Sequence, residues 1–214
     1  MSKLYIGVDI GGTSIVAARF SDNEMLDKKE VPTGAERPAE QIMESLYEVI
    51  EMVLTDEVVG IGIGMPGFMN ADTGEILVIN NIKSFNGFSI KPLVEKRFNL
   101  PAFQGNDANC FALGETYYGA GRRYKNLVGI TLGTGLGGGI ILDRKIHTGL
   151  MGGAGELGCV PFHGGIVEDI CSAALFKNKY NTTGTELYKK AKEGDQASLA
   201  VFEELAQNVG ELIR

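Results

Sequence analysis

Three groups of residues in this chain combine types and spacing suited to chemistry. The first centres on Asp107, in Gly105-Asn106-Asp107-Ala108-Asn109-Cys110. It follows a short apolar run, Leu100-Pro101-Ala102-Phe103, and precedes a segment that reads as a helix over 108–118. A carboxylate at such a strand-to-helix junction meets free backbone N–H groups that hold it charged. That suits a general base. The same place also suits simple helix capping by Asn106 or Asp107. The second group is a pair of glycine-rich turns, Asp9-Ile10-Gly11-Gly12-Thr13 and Gly133-Thr134-Gly135-Leu136-Gly137-Gly138-Gly139. Glycines let turn amides approach an anion closely, and Thr13 and Thr134 add hydroxyls. Asp9 would face a metal ion held by phosphates. An ordinary hairpin turn is the plain alternative at both places. The third group, Asn81, Asn106, Glu156 and Glu168, consists of polar residues beside glycine-rich turns that could grip a polyol. Each type is also common as a surface or capping residue. Two phosphate-facing turns and one junction carboxylate point to phosphoryl transfer. There, positioning and charge neutralisation do most of the catalysis and the protein adds an in-line base.

These residues need elements to position them. Residues 3–9, 14–20 and 25–31 read as strands, with Ser21-Asp22-Asn23-Glu24 as a turn. Residues 38–54 have helical spacing, with Ile42, Leu46, Val49, Ile50 and Val53 on one face. Residues 58–65 form an apolar strand ending at Pro66-Gly67, followed by a turn over 70–75, a short strand at 76–79 and a helix at 89–98. Gly119-Ala120-Gly121-Arg122-Arg123 is the best boundary, which divides the chain into 1–118 and 119–214. Beyond it come strands at 127–132 and 140–142 flanking the second glycine loop, then a turn at 143–145. Helices are expected at 170–179, 185–192 and 198–213. Each half thus opens as strand, glycine-rich tip, strand, a weak internal repeat. Gly133-x-Gly135-x-x-Gly138 fits the dinucleotide fingerprint only formally. That fingerprint opens a helix, and here a strand follows. No Gly-Lys-Ser/Thr ending is present, which excludes a P-loop.

The totals narrow the partners. A net charge of −7 and a pI near 5.0 argue against nucleic acid and anionic membrane surfaces. No apolar run approaches the ~20 residues of a membrane span, and Met1-Ser2-Lys3 runs straight into a strand, so a cytoplasmic protein is expected. Cys110, Cys159 and Cys171 are odd in number and lack a CxxC pair, which speaks against a disulfide framework.

Five ordered motifs carry a resemblance: Asp9-Ile-Gly-Gly-Thr13, Gly64-Met-Pro-Gly67, Asn106-Asp-Ala-Asn109 with Gly114-Glu115, Gly133-Thr-Gly-Leu-Gly-Gly-Gly139, and Gly153-Ala-Gly-Glu-Leu-Gly158. Together the chain resembles the ROK family of repressors and sugar kinases. The resemblance implies an α/β, actin-like (ribonuclease-H-like) fold of two lobes with sugar in the cleft. It also implies ATP and Mg²⁺ against the glycine hairpins at Asp9, Gly11, Gly12, Thr13, Gly133, Thr134 and Gly135. By the same likeness Asp107 is the base for a sugar hydroxyl. Asn106 and Glu156 bind the sugar, with Asn81 and the backbone near Gly67 beside them. Glu168 is the second sugar glutamate, in Glu168-Asp-Ile-Cys-Ser172. Two departures stand out. Cys159 replaces the family's usual His, and Val160-Pro161-Phe162-His163-Gly164-Gly165 bypasses the usual zinc knuckle, so no structural zinc is expected. The chain also stops about half a domain short of the family pattern, so an incomplete second lobe with an exposed sheet edge is expected. The implied protein is a carbohydrate kinase, with a possible homodimer. The alternative is a catalytically impaired sugar-binding remnant or regulatory protein of the family.

Overall fold

The computed structural model describes residues 3–22, 24–70, 73–149 and 152–214. Asn23, Ala71, Asp72, Leu150 and Met151 lie outside the described residues, and with them parts of the turns expected at 21–24 and 70–75 and of the segment 151–158.

The first layer is built by β1 (Leu4–Ile10), β2 (Ser14–Ser21) and β3 (Glu24–Pro32), followed by α1 (Ala39–Glu51) and β4 (Val58–Met65). Short strands β5 (Phe68–Met69) and β6 (Ile76–Val78) pair with each other. They lead to α2 (Lys91–Phe98), β7 (Ala102–Asn106) and α3 (Asp107–Tyr117). The large sheet has the order β3-β2-β1-β4-β7, with β4 parallel to both β1 and β7. Its strands alternate. Ile6, Val8 and Ile10 of β1 and Ile61, Ile63 and Met65 of β4 are buried, while Tyr5 and Asp9 face out. The buried side meets Ile42, Leu46, Val49 and Ile50, which recur at helical spacing on α1. Each such side chain stabilises the fold by about 1.5–3 kcal/mol. This is the main core of the molecule.

The second sheet comprises β8 (Leu127–Leu132), β9 (Leu136–Leu142) and β10 (Lys145–His147), in the order β10-β9-β8. It repeats the antiparallel β3-β2-β1 arrangement of the first half, as the two rhyming tips foretold. The difference lies at β8. The equivalent strand, β1, pairs with β4 on its far side, whereas β8 is an edge strand among the described residues. Asp143 and Arg144 turn the chain from β9 to β10 with positive φ of 49° and 64°, the backbone of a tight primed hairpin turn.

The sequence reading placed Gly137, Gly138 and Gly139 in a loop; they lie in β9 instead. Their absent side chains make room for neighbours. A Cβ on Gly139 would stand 2.6 Å from Ala112 Cβ, and one on Gly137 2.9 Å from Ala108 Cβ. Gly129 on β8 is pressed the same way, 2.8 Å from Ala112 Cβ. On the opposite face, a Cβ on Gly138 would meet the Gly155 carbonyl at 2.6 Å. Helix α3 therefore lies flush on the β8–β9 hairpin while its N-terminus grows from β7. It touches both sheets.

Short strands β11 (Pro161–Phe162) and β12 (Gly165–Ile166) form the bypass, and α4 (Val167–Cys171), α5 (Ala174–Tyr180), α6 (Gly184–Lys192) and α7 (Gln196–Leu212) complete the chain. The single helix expected over 170–179 is two. Ser172 is extended (φ −136°, ψ −173°), and the break has a cause in the site below. No helix of the described residues is long and apolar enough to cross a membrane.

Candidate functional site

Asp107 is the first residue of α3 and Asn106 the last of β7. The capping role falls to Asn106, whose Oδ1 accepts from Asn109 N at 3.1 Å. Its Nδ2 donates to the Gly67 carbonyl at 3.3 Å, which fixes the turn after β4. Gly67 has φ +101°, and any side chain there would strike the Val78 carbonyl. Asp107 is thereby spared the cap. One of its oxygens accepts from Ala108 N at 2.8 Å, at the positive end of the helix.

Both glycine tips are tied back by their carbonyls. At the first, Thr33 Oγ1 donates to Gly11 O at 2.6 Å and Thr33 N donates to Thr13 O at 3.0 Å. At the second, Ala173 N donates to Gly133 O at 3.0 Å and the Ser172 hydroxyl shares its proton between Thr134 O at 3.2 Å and Glu168 O at 2.6 Å. The outcome is the same in both. Among the described residues, the N–H groups of Gly12 and Thr13, and those of Thr134 and Gly135, take no protein acceptor. Two consecutive free amides on a tip form an anion-binding concavity. Gly133 has open space where a Cβ would stand, and Asn81 packs on the first tip, with its Cβ 3.2 Å from the position of a Gly12 Cβ.

Carboxylates converge between the tips. Asp9 is pushed above its ordinary carboxylate range by burial and then by Asp107. Glu156 is raised by burial, by Asp107 and by Glu168. Glu168 Oε2 accepts from Leu136 N at 3.0 Å, directly behind the second tip. Two cysteines border the cluster. Cys110 on α3 is pushed up to about 11 by burial, Asp107 and Asp9. Cys159 is raised by burial, Glu156 and Glu168. Both thiols are held protonated at neutral pH. Among the described residues, no three His, Cys, Asp or Glu side chains form a metal-holding group. His163 instead lies against α7, with Nε2 3.1 Å from Glu211 Oε2.

The predicted residues Asp9, Asp107, Glu156 and Glu168 thus share one electrostatic neighbourhood, and Asn106 and Gly67 are joined by a hydrogen bond. Thr33 and Ala173 were missed, and Ser172 was quoted only as the end of the Glu168 motif, with no role. Thr33 is fully buried just past β3, and a buried Thr hydroxyl needs a partner. That is a signal only once burial is known.

Comparison with known proteins places these features. The ROK family model matches residues 5–214. The chain is 33% identical over 218 residues to the uncharacterised protein CPE0188 of Clostridium perfringens, covering 96% of this chain and 74% of that one. It is 40% identical over 163 residues to a glucokinase of Halalkalibacterium halodurans, covering 73% of this chain and 49% of that enzyme. The match therefore spans about half the length of that kinase. The structure of a ROK family glucokinase from Streptomyces griseus, in complex with glucose and AMPPNP, is 30% identical. It superposes with a TM-score of 0.81, over 98% of this chain and 78% of that one. The fold is thus the actin-like ATPase fold of the ROK sugar kinases. With two glycine tips braced alike, a helix-borne Asp107 between them and a family match over nearly its whole length, the chain belongs to the ROK family.

Proposed function

We propose that the protein phosphorylates a hydroxyl of a small sugar, an aldohexose by preference, with ATP as donor. The observation behind this reading is the pair of tips, each with its carbonyls tied inward and two consecutive N–H groups free. Gly11, Gly12 and Thr13 on one side and Gly133, Thr134 and Gly135 on the other would hold the phosphates of ATP. Their fit is supported by the open space at Gly133. Mg²⁺, when bound, would neutralise phosphate charge, and Asp9 is the carboxylate that would help to hold it.

The rest of the work belongs to the chain's own groups. Asp107 accepts the proton of the attacking hydroxyl. Asn106 already holds Gly67 in place, which fits a wall of the sugar site. Glu156 and Glu168 accept hydrogen bonds from sugar hydroxyls, and Asn81 stands beside the first tip. The sugar lies between an N-terminal lobe, 1–118, and a C-terminal lobe, 119–214. A coupled assay with ATP and a panel of aldohexoses and N-acetylhexosamines tests the reading. Turnover with one sugar, reduced about 10²–10⁴-fold in kcat by Asp107→Asn, is the expected result. Turnover unaffected by that substitution would remove Asp107 from the role.

A second reading, sugar binding without turnover, draws on one observation. Cys159, beside Glu156 and Glu168, is a protonated thiol and a weak hydrogen-bond donor. Sugar binding by calorimetry with no phosphate transfer to any sugar would favour it.

A further inference from the structure

Glu168 has a second task that its place in the sugar site does not explain. Its two oxygens are used differently. Oε2 accepts from the backbone N–H of Leu136, the residue that closes the second tip. Oε1 takes no hydrogen bond from a described residue, while the side chain lies within electrostatic reach of Glu156 and Cys159. One carboxylate therefore holds the tip with one atom and keeps the other without a hydrogen-bond partner among the described residues.

The contact is part of a larger brace. Three of four consecutive residues of the hairpin are hydrogen-bonded by one short segment, 168–173, and the fourth, Gly135, lies against it. Gly133 O receives Ala173 N, Thr134 O receives Ser172 Oγ, and Leu136 N reaches Glu168. At Gly135 a side chain would collide with Glu168 Oε2. Ser172 closes the segment on itself, because its one hydroxyl proton is shared between Glu168 O at 2.6 Å, the shorter contact, and Thr134 O at 3.2 Å, while its oxygen accepts from Ala174 N at 3.0 Å. This explains the break between α4 and α5. In a continuous helix Ala173 N would point back along the axis; here it points at Gly133.

Resting on the sugar-kinase reading, we propose that Glu168 and Ser172 form a latch that couples the sugar site to the second phosphate tip. A carboxylate is a rigid planar fork. A sugar hydroxyl donating to Oε1 fixes the plane and so fixes Oε2, the acceptor that sets Leu136 and the free amides of Thr134 and Gly135. Sugar binding then prepares the tip for a phosphate, and by linkage a bound phosphate tightens the sugar by the same factor. Glu168 acts on the nucleotide as a positioning residue. Ser172 acts only through the tip and through Glu168.

Calorimetric titration of AMPPNP with and without saturating sugar tests this, alongside amide exchange at Leu136 read by NMR. In the native chain, sugar is expected to tighten AMPPNP by about fivefold or more, within the usual range of coupling between sites, and to slow exchange at Leu136. Ser172→Ala is expected to leave sugar affinity within about twofold and to bring the AMPPNP gain close to one. Ser172→Thr, which keeps the hydroxyl, is expected to restore it. If sugar and AMPPNP both bind but independently, and Leu136 exchange ignores the sugar, the latch is wrong while the kinase reading stands. If neither ligand binds, both fall.

Discussion

At the scale of single residues, the site rests on a division of labour at one helix start. Asn106 caps α3 and leaves Asp107 available for the proposed role of base. The sequence reading left the capping role open between these two, because both types cap well; only the hydrogen bond from Asn109 N decides it. The carboxylates carry a cost that pH reveals. Asp9 and Glu156 both have raised values in the fold, so the folded state holds their protons more tightly than the unfolded chain does. From the ordinary carboxylate range up to the raised value, stability falls as pH rises; above it the cost is fully present. Glu156→Gln is therefore expected to raise Tm at pH 7 by about 1–3 °C and to have no effect once the carboxyl is protonated in both states, near pH 3. Differential scanning fluorimetry across that range checks it. A Tm at pH 7 that drops instead would mean that Glu156 is held by contacts worth more than its charge costs.

At the scale of elements, the tips depend on residues outside themselves. Thr33→Val keeps shape and removes the hydroxyl that donates to Gly11 O, leaving that half-buried carbonyl short of a partner. A loss of about 1–3 kcal/mol in urea unfolding is expected, with weaker AMPPNP binding. A stability equal to the native chain's would show that water replaces the bond. The strands and helices of the first half were legible because burial alternates in β1 and β4 and recurs at helical spacing in α1. The second half was less so. Glycine has no side chain to betray a period, so the first part of β9 passed for a loop, and the α4–α5 break is dictated by a tip 38 residues upstream. No local signal marks such a contact. The family motifs singled out Asp9, Asp107, Glu156 and Glu168 where no periodicity marks them, and the fold sets these four in one electrostatic neighbourhood.

At the scale of the whole molecule, two sheets of like design are joined by one helix. Among the described residues β8 is an edge strand and the open flank, with Val128 and Leu132 each more than half exposed. Unpaired N–H and C=O groups beside apolar side chains invite pairing with another chain. Light scattering during warming is expected to show concentration-dependent association. Val128→Lys is expected to delay it by placing a charge on the edge; association unchanged by that substitution would move the sticky surface elsewhere. The seating of α3 on Gly129, Gly137 and Gly139 has a different reach. Asp107 projects from a helix start and can be exchanged with little harm to folding, but Gly139→Ala drives a methyl into Ala112 and should cost about 1–3 kcal/mol by urea denaturation. If the chain is a kinase as proposed, a lineage of this protein can therefore discard its catalysis one substitution at a time and keep a foldable chain. It has no such freedom at the glycines under α3, so descendants that have lost the reaction are expected to keep them.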